Sequence, residues 1–195
     1  MTDASHKPAT YADLQAVPEH LVAEILFGHL VAHPRPATKH GYAATSLADE
    51  LVSPFHKGRG GPGGWAFVSE EELHLGPHIT VPGIAGWRRE RLPAGWDDGA
   101  FIDIAPDWIC EIISPSTEKY DKGDKRRIYA LYGVQHLWHL DPRARTLEVF
   151  VLQDMNWLLT HTFVEREDVS TLPFSELTFS LDLLWPFDPP ADPTT

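Results

Sequence analysis

The sequence predicts an α/β (α+β) fold: a mixed central β-sheet flanked by helices, in one domain. Three observations lead there. Residues 108–114 form a short apolar run of the kind a strand buried on both faces shows. Strand-like and helix-like segments alternate on either side of it, which is the pattern of a layered sheet with helical cover. The chain has 195 residues, 43% apolar and 23% charged, an ordinary composition for a single domain with a real core.

The elements follow in order. Thr10 is a good N-cap for a short helix over Tyr11 to Val17, which Pro18 ends. Residues 21–33 (LVAEILFGHLVAH) read as a hairpin hinged at Gly28, although Leu21, Ile25 and Gly28 also fit a helical face. Ala44, Leu47, Leu51 and Phe55 recur at helical spacing and predict a helix over 37–55. GRGGPGG at 58–64 is loop. Strands are expected at Trp65 to Ser69, His78 to Trp87 and Trp108 to Ser114. A helix over 117–132 then closes at Gly133. Strands follow at His136 to Leu140, Thr146 to Gln153 and Trp157 to Val164, and a last helical turn at 181–186. Residues 1–9 are expected to be a flexible N-terminus, 10–187 the domain, and 188–195 a disordered Pro-rich tail.

Several functional classes drop out. One cysteine, Cys110, permits no internal disulfide, and an apolar neighbourhood would raise its thiol pKa and leave it inert. No apolar run approaches the length of a membrane helix and the N-terminus has no apolar signal, so a soluble cytoplasmic protein is expected. The eleven histidines do not form a zinc-binding spacing: His136 and His139 fall on opposite faces of a strand. G-x-S-x-G is absent, and the glycine run lacks the Lys-Ser/Thr of a phosphate loop.

The formal charge is -12, yet residues 88–91 and 119–127 carry eight of the 16 Lys and Arg. Such a split suits a phosphate-bearing ligand on one face of an acidic protein. It equally suits a solvated helix with i,i+4 ion pairs such as Asp121 with Lys125. Glu111 is the sharper feature. An acid within Trp108, Ile109, Ile112 and Ile113 is costly to bury unless a cation or donor meets it. Lys125, beside a stripe of Ile128, Tyr129 and Tyr132, is placed to reach it, with Asp121 one turn earlier. Asp107 lies about 13 Å from Glu111 along the strand, so the two do not share an ion. A purely structural Glu–Lys pair fits the same pattern.

The run PDWICEIISPSTEKYDKGDKRRIYALYGVQHLWHLDPRARTLEVF, with VAEILFGHLV, GGPGGWAFVSEEELHLG and VPGIAGWRRERLP upstream, resembles the Uma-two family of putative restriction endonucleases, a branch of the PD-(D/E)XK nuclease superfamily. The resemblance covers roughly residues 11–185. It implies a restriction-endonuclease-like fold and metal-dependent phosphodiester cleavage, probably of DNA, with Mg²⁺ or Mn²⁺. Residue by residue it implies that Glu111 is a metal ligand and catalytic, with Glu24 a second acid near the metal. Lys125 then stabilises charge, and Asp121 orients that lysine. The resemblance and the basic segments together nominate Arg88, Arg89, Arg91, Lys119, Lys122 and Arg126 for phosphate contacts, and a homodimer. One position departs: the family's Val-Pro-Asp run reads Val81-Pro82-Gly83 here. The alternative is therefore a degenerate member that binds nucleic acid or protein without turnover.

Overall fold

The computed structural model describes residues 7–35 and 37–185; the N-terminal residues 1–6 and the expected tail at 188–195 lie outside them. Among the described residues no helix is long and apolar enough to cross a membrane. Thr10 opens α1 (Tyr11–Gln15) with a capping box in which Asp13 answers from N3. The hairpin is real: β1 (Leu21–Leu26) pairs antiparallel with β2 (His29–Pro34), and Phe27 and Gly28, both at positive φ, make its two-residue turn. The backbone N–H of Ala9 donates to the Gly28 carbonyl, so the stretch just before α1 is tied to this turn.

Helix α2 (Thr38–Leu51) runs on through a π-helical turn at Val52–His56. Then come β3 (Trp65–Ser69), β4 (Leu73–Leu75), β5 (His78–Thr80), β6 (Ile84–Arg88) and β7 (Trp108–Ile112). The helix after β7 comprises α3 (Glu118–Tyr120), a π-helical turn at Asp121–Lys125, and α4 (Arg126–Leu131). Gly133 follows at φ 71, the left-handed position that stops a helix. The chain ends in β8 (His136–Asp141), β9 (Thr146–Gln153), β10 (Asn156–Val164), the short β11 (Asp168–Val169) and β12 (Phe179–Ser180), and a 3-10 turn at Leu181–Leu184.

The main sheet has the order β10-β9-β8-β7-β6-β3, and a second sheet the order β2-β1-β5-β4. Strands β7 and β8 are parallel while the other pairs of the main sheet are antiparallel. The sheet is thus mixed, and the crossover that parallel pairing requires is the α3–α4 helix. One face of the sheet packs Trp108, Cys110, Trp138 and Leu140 against Ala43, Leu47 and Leu51 of α2. The other packs Ile109, Leu137 and Phe150 against Ile128 and Tyr129 of α4. The expected α+β architecture is what the chain adopts.

One expected element is different. The single strand expected over His78 to Trp87 is two strands in two sheets, β5 and β6, broken at Val81-Pro82-Gly83. Pro82 has no N–H to give a ladder, and Val81 gives its own N–H to the Glu24 carboxylate, 2.8 Å away. The break carries the chain from one sheet to the other and leaves the Val81 peptide facing the polar centre described next.

Candidate active site

Three elements aim four side chains at one point. Glu24 comes from β1, Glu111 from β7, and Asp121 and Lys125 from the π-helical turn after α3. The Lys125 ammonium is 2.8 Å from Glu111 Oε1, 3.1 Å from Glu24 Oε1 and 3.2 Å from Asp121 Oδ1. It also donates to the Val81 carbonyl at 3.4 Å. All four residues are buried, none more than 3% exposed. The wide turn matters here: an i→i+5 bulge changes the helical rotation locally, and both Asp121 and Lys125 lie buried within it.

Two more side chains complete the arrangement. The Tyr129 hydroxyl, one turn beyond Lys125, donates to Glu111 Oε1 at 2.5 Å. His33 Nε2 lies 3.4 Å from Glu24 Oε2. Neither residue stands out in the sequence as a site residue. His33 had a signal nonetheless: with the turn at Phe27-Gly28, Glu24 pairs with Val31, and residue 33 is its diagonal neighbour on the same face. Tyr129 reads only as part of an apolar stripe, because a phenol looks like packing until its hydroxyl finds an acid.

The electrostatics follow from three carboxylates sharing one ammonium. Burial alone would raise all the acids. For Glu24 the cost is overcome by Lys125, His33 and the Val81 N–H, and its acid is held below the ordinary value. Glu111 has less help: burial and the charges of Asp121 and Glu24 outweigh Lys125, and its acid is pushed up to about 7. Burial opposes the Lys125 cation, but Glu111, Glu24, Tyr129 and Asp121 reverse this and hold the amine well above its usual value. Burial and Glu111 also push the Tyr129 phenol up. The same two causes push up the Cys110 thiol, in line with an inert cysteine.

Beside the cluster is a small cavity of about 40 Å³, lined by His33, His40, Glu70, Gly83, Glu111, Ile112, Ser114, Thr117, Asp121 and Lys125 among others. Gly83 is buried in it. A Cβ at residue 83 would stand 2.8 Å from Ile112 Cγ1 and 3.1 Å from the Cys110 carbonyl oxygen. The position is therefore filled by neighbours as well as lacking a carboxylate.

The basic residues nominated from the sequence are placed elsewhere. Arg88, Arg89 and Arg91 sit at the opposite end of β6 from Gly83 and close local structure. The Arg88 guanidinium stacks on Trp65. Arg89 donates to the Trp65 and His56 carbonyls, and Arg91 pairs with Asp107 at 2.7 Å. Lys119 lies over the Tyr120 ring, Arg126 over Phe150, and Lys122 pairs with Glu118. None of the six lines the cavity.

A mixed sheet whose central strand ends in a buried acid, met by a helix lysine, is the arrangement of a nuclease-type fold. The comparisons agree. A solved structure described as a putative nuclease belonging to DUF820, from Anabaena variabilis, superposes with a TM-score of 0.70 at 26% identity, covering 91% of this chain and 97% of that one. The model of the Uma2 family, described as putative restriction endonuclease, matches residues 8–183; the chain belongs to that family. No curated protein matches it.

Such a family implies a divalent metal, and the donors present fit one in kind. Glu111, Asp121, Glu24 and the Val81 carbonyl are hard oxygen ligands with excess negative charge; Glu24 Oε2 is met by His33 at 3.4 Å, and His40 Nδ1 is buried without a hydrogen-bond partner. Among the described residues, no three His, Cys, Asp or Glu side chains are already arranged around a free point; the point that three carboxylates and a carbonyl share is held by Lys125 Nζ.

Proposed function

We propose that the protein is a cytoplasmic endonuclease that hydrolyses phosphodiester bonds of DNA with Mg²⁺ or Mn²⁺ at the Glu111–Lys125 centre. The observation that carries this reading is the 2.8 Å contact between a buried lysine and a buried strand acid at the wall of a small cavity. Glu111, with Asp121 and Glu24 nearby, would hold the ion. When bound, the ion supplies a Lewis acid for the phosphate and lowers the pKa of a coordinated water. Lys125 supplies a fixed positive charge beside the developing one. Asp121, four residues before it, holds that ammonium in place, and Tyr129 fixes the orientation of Glu111. Lys119 and Lys122, on the same helix as Lys125, would contact backbone phosphates.

Supercoiled plasmid incubated with Mn²⁺ should be nicked by the native chain and left intact by Glu111→Gln. A second reading, a module that binds nucleic acid without turnover, is favoured by Gly83, which leaves the site one carboxylate short. Intact plasmid with the native chain, together with retained DNA binding, would select it.

The same reading includes a homodimer. Strand β10 is a nine-residue edge without a charged residue, and Leu158 and Leu159 are about half exposed on it. Edges left free in monomers are commonly guarded by charge or proline. Sedimentation should give a dimer that Leu158→Lys converts to monomer.

A further inference from the structure

We infer that His40 takes the ligand place that Gly83 leaves empty, and that the ion this chain prefers is one that accepts imidazole, Mn²⁺ over Mg²⁺. The inference rests on the metal-dependent reading above and deepens it. His40 lies in the first turn of α2, on the opposite layer of the sheet from α4, yet it lines the same cavity as Gly83, Glu111, Ile112 and Asp121. Its Nδ1 is buried and has no hydrogen-bond partner. Buried polar atoms are nearly always paired, so an unpaired ring nitrogen in the wall of an acidic cavity has a lone pair or proton without a use in the protein alone. Neutral imidazole is a common metal ligand, and a nitrogen donor shifts a site away from Mg²⁺, which takes oxygen, toward the transition ions.

Gly83 and Ile112 explain why a histidine from the other layer is needed. The space next to residue 83 is closed by Ile112 Cγ1 and the Cys110 carbonyl, so residue 83 itself offers the cavity no side chain. His40 approaches from α2, whose Ala43, Leu47 and Leu51 are anchored in the core. A ligand on a packed helix is fixed in place by that packing.

The test is calorimetric titration of Mn²⁺ and of Mg²⁺ into the full-length native protein, His40→Ala, His40→Gln and Glu111→Gln, each first checked for a cooperative thermal transition. The native chain should bind one Mn²⁺ more tightly than Mg²⁺. Both His40 variants should weaken Mn²⁺ by roughly tenfold or more, the least expected when a group supporting a metal site is lost, and should barely move Mg²⁺. Unchanged Mn²⁺ affinity in a folded His40 variant overturns the inference, as does native binding of Mg²⁺ as tight as Mn²⁺, or no native uptake of Mn²⁺. The uptake is read without turnover. Mn²⁺ bound through His40 with no plasmid nicking would sink the hydrolytic reading and leave this one. Nicking that survives with full Mn²⁺ affinity in His40→Ala would do the reverse.

Discussion

The two basic segments look alike in sequence and do opposite things in the fold. Residues 119–127 deliver one ammonium, that of Lys125, into a buried group of three acids. Residues 88–91 use their guanidiniums at the surface, on three backbone carbonyls, an indole face and Asp107. The difference is one of burial and backbone shape. A π-helical turn carries Lys125 inward, whereas the 3-10 turn at Arg89–Arg91 leaves its side chains at the exposed end of β6. Charge density alone therefore says little about which segment carries chemistry.

The largest effect should come from Lys125→Met. It leaves Glu24, Glu111 and Asp121 buried together with no cation, and removing one partner from a buried ion group costs about 3–5 kcal/mol. Urea denaturation at about pH 8 should show a loss of that order, or no folded protein. A loss below about 1 kcal/mol, the range of exposed pairs, would place Lys125 with the surface arginines and break the contrast.

Glu111→Gln should act in the other direction and through pH. The folded-state acid titrates near 7, above its ordinary value of 4.5, so folding favours the protonated form. Its stabilising contribution is complete below about pH 4.5 and is lost as pH rises through about 7. His33, also raised, adds a slope of the same sign. Burial lowers His40, His56, His78, His136 and His139, which adds a slope of the opposite sign, so the Glu111 contribution is a difference between two proteins: relative to the native chain, Glu111→Gln should gain thermal stability as pH rises from 5 to 8. An identical slope in the variant would mean that Glu111 is ionised throughout.

Gly83→Asp tests the space beside the centre. Its Cβ would press on Ile112 Cγ1, and over-packing of this kind costs about 1–3 kcal/mol. Combined with Ile112→Ala, the loss should be smaller than the two single losses together, because one change relieves the other. Strict additivity would show that Ile112 moves aside freely.

Much of this was legible beforehand. Alternation along β7 put Glu111 on the face of Ile109, and helical spacing put Lys125 with Asp121, since both depend only on local periodicity. The partners from afar were not legible in that way. Glu24 entered through family resemblance; His33 and Tyr129 did not enter at all, because their place depends on how hairpin, sheet and helix meet. Local pattern predicts a continuous strand through Val81-Pro82-Gly83, with Pro82 the one residue that argues for a break. What decides it is that Glu24 captures the Val81 N–H, a bond across 57 residues that no local pattern announces.

The smallest change sharpens the comparison most. Lys122 pairs with Glu118 at 3.2 Å with both side chains 39% exposed, so Lys122→Ala should alter stability by no more than about 0.5 kcal/mol. Arg89→Met, which removes hydrogen bonds to two carbonyls from an exposed side chain, should cost about 0.5–1.5 kcal/mol. Binding to a DNA duplex should order them the other way. A lysine that contacts a phosphate contributes about one unit to the slope of log affinity against log salt, and its removal takes that unit away. Fluorescence anisotropy across a salt series should then show a shallower slope for Lys122→Ala and an unchanged slope for Arg89→Met. A shallower slope for the arginine variant instead would move the phosphate track to the far end of β6, away from Glu111, and would separate DNA binding from the buried centre altogether.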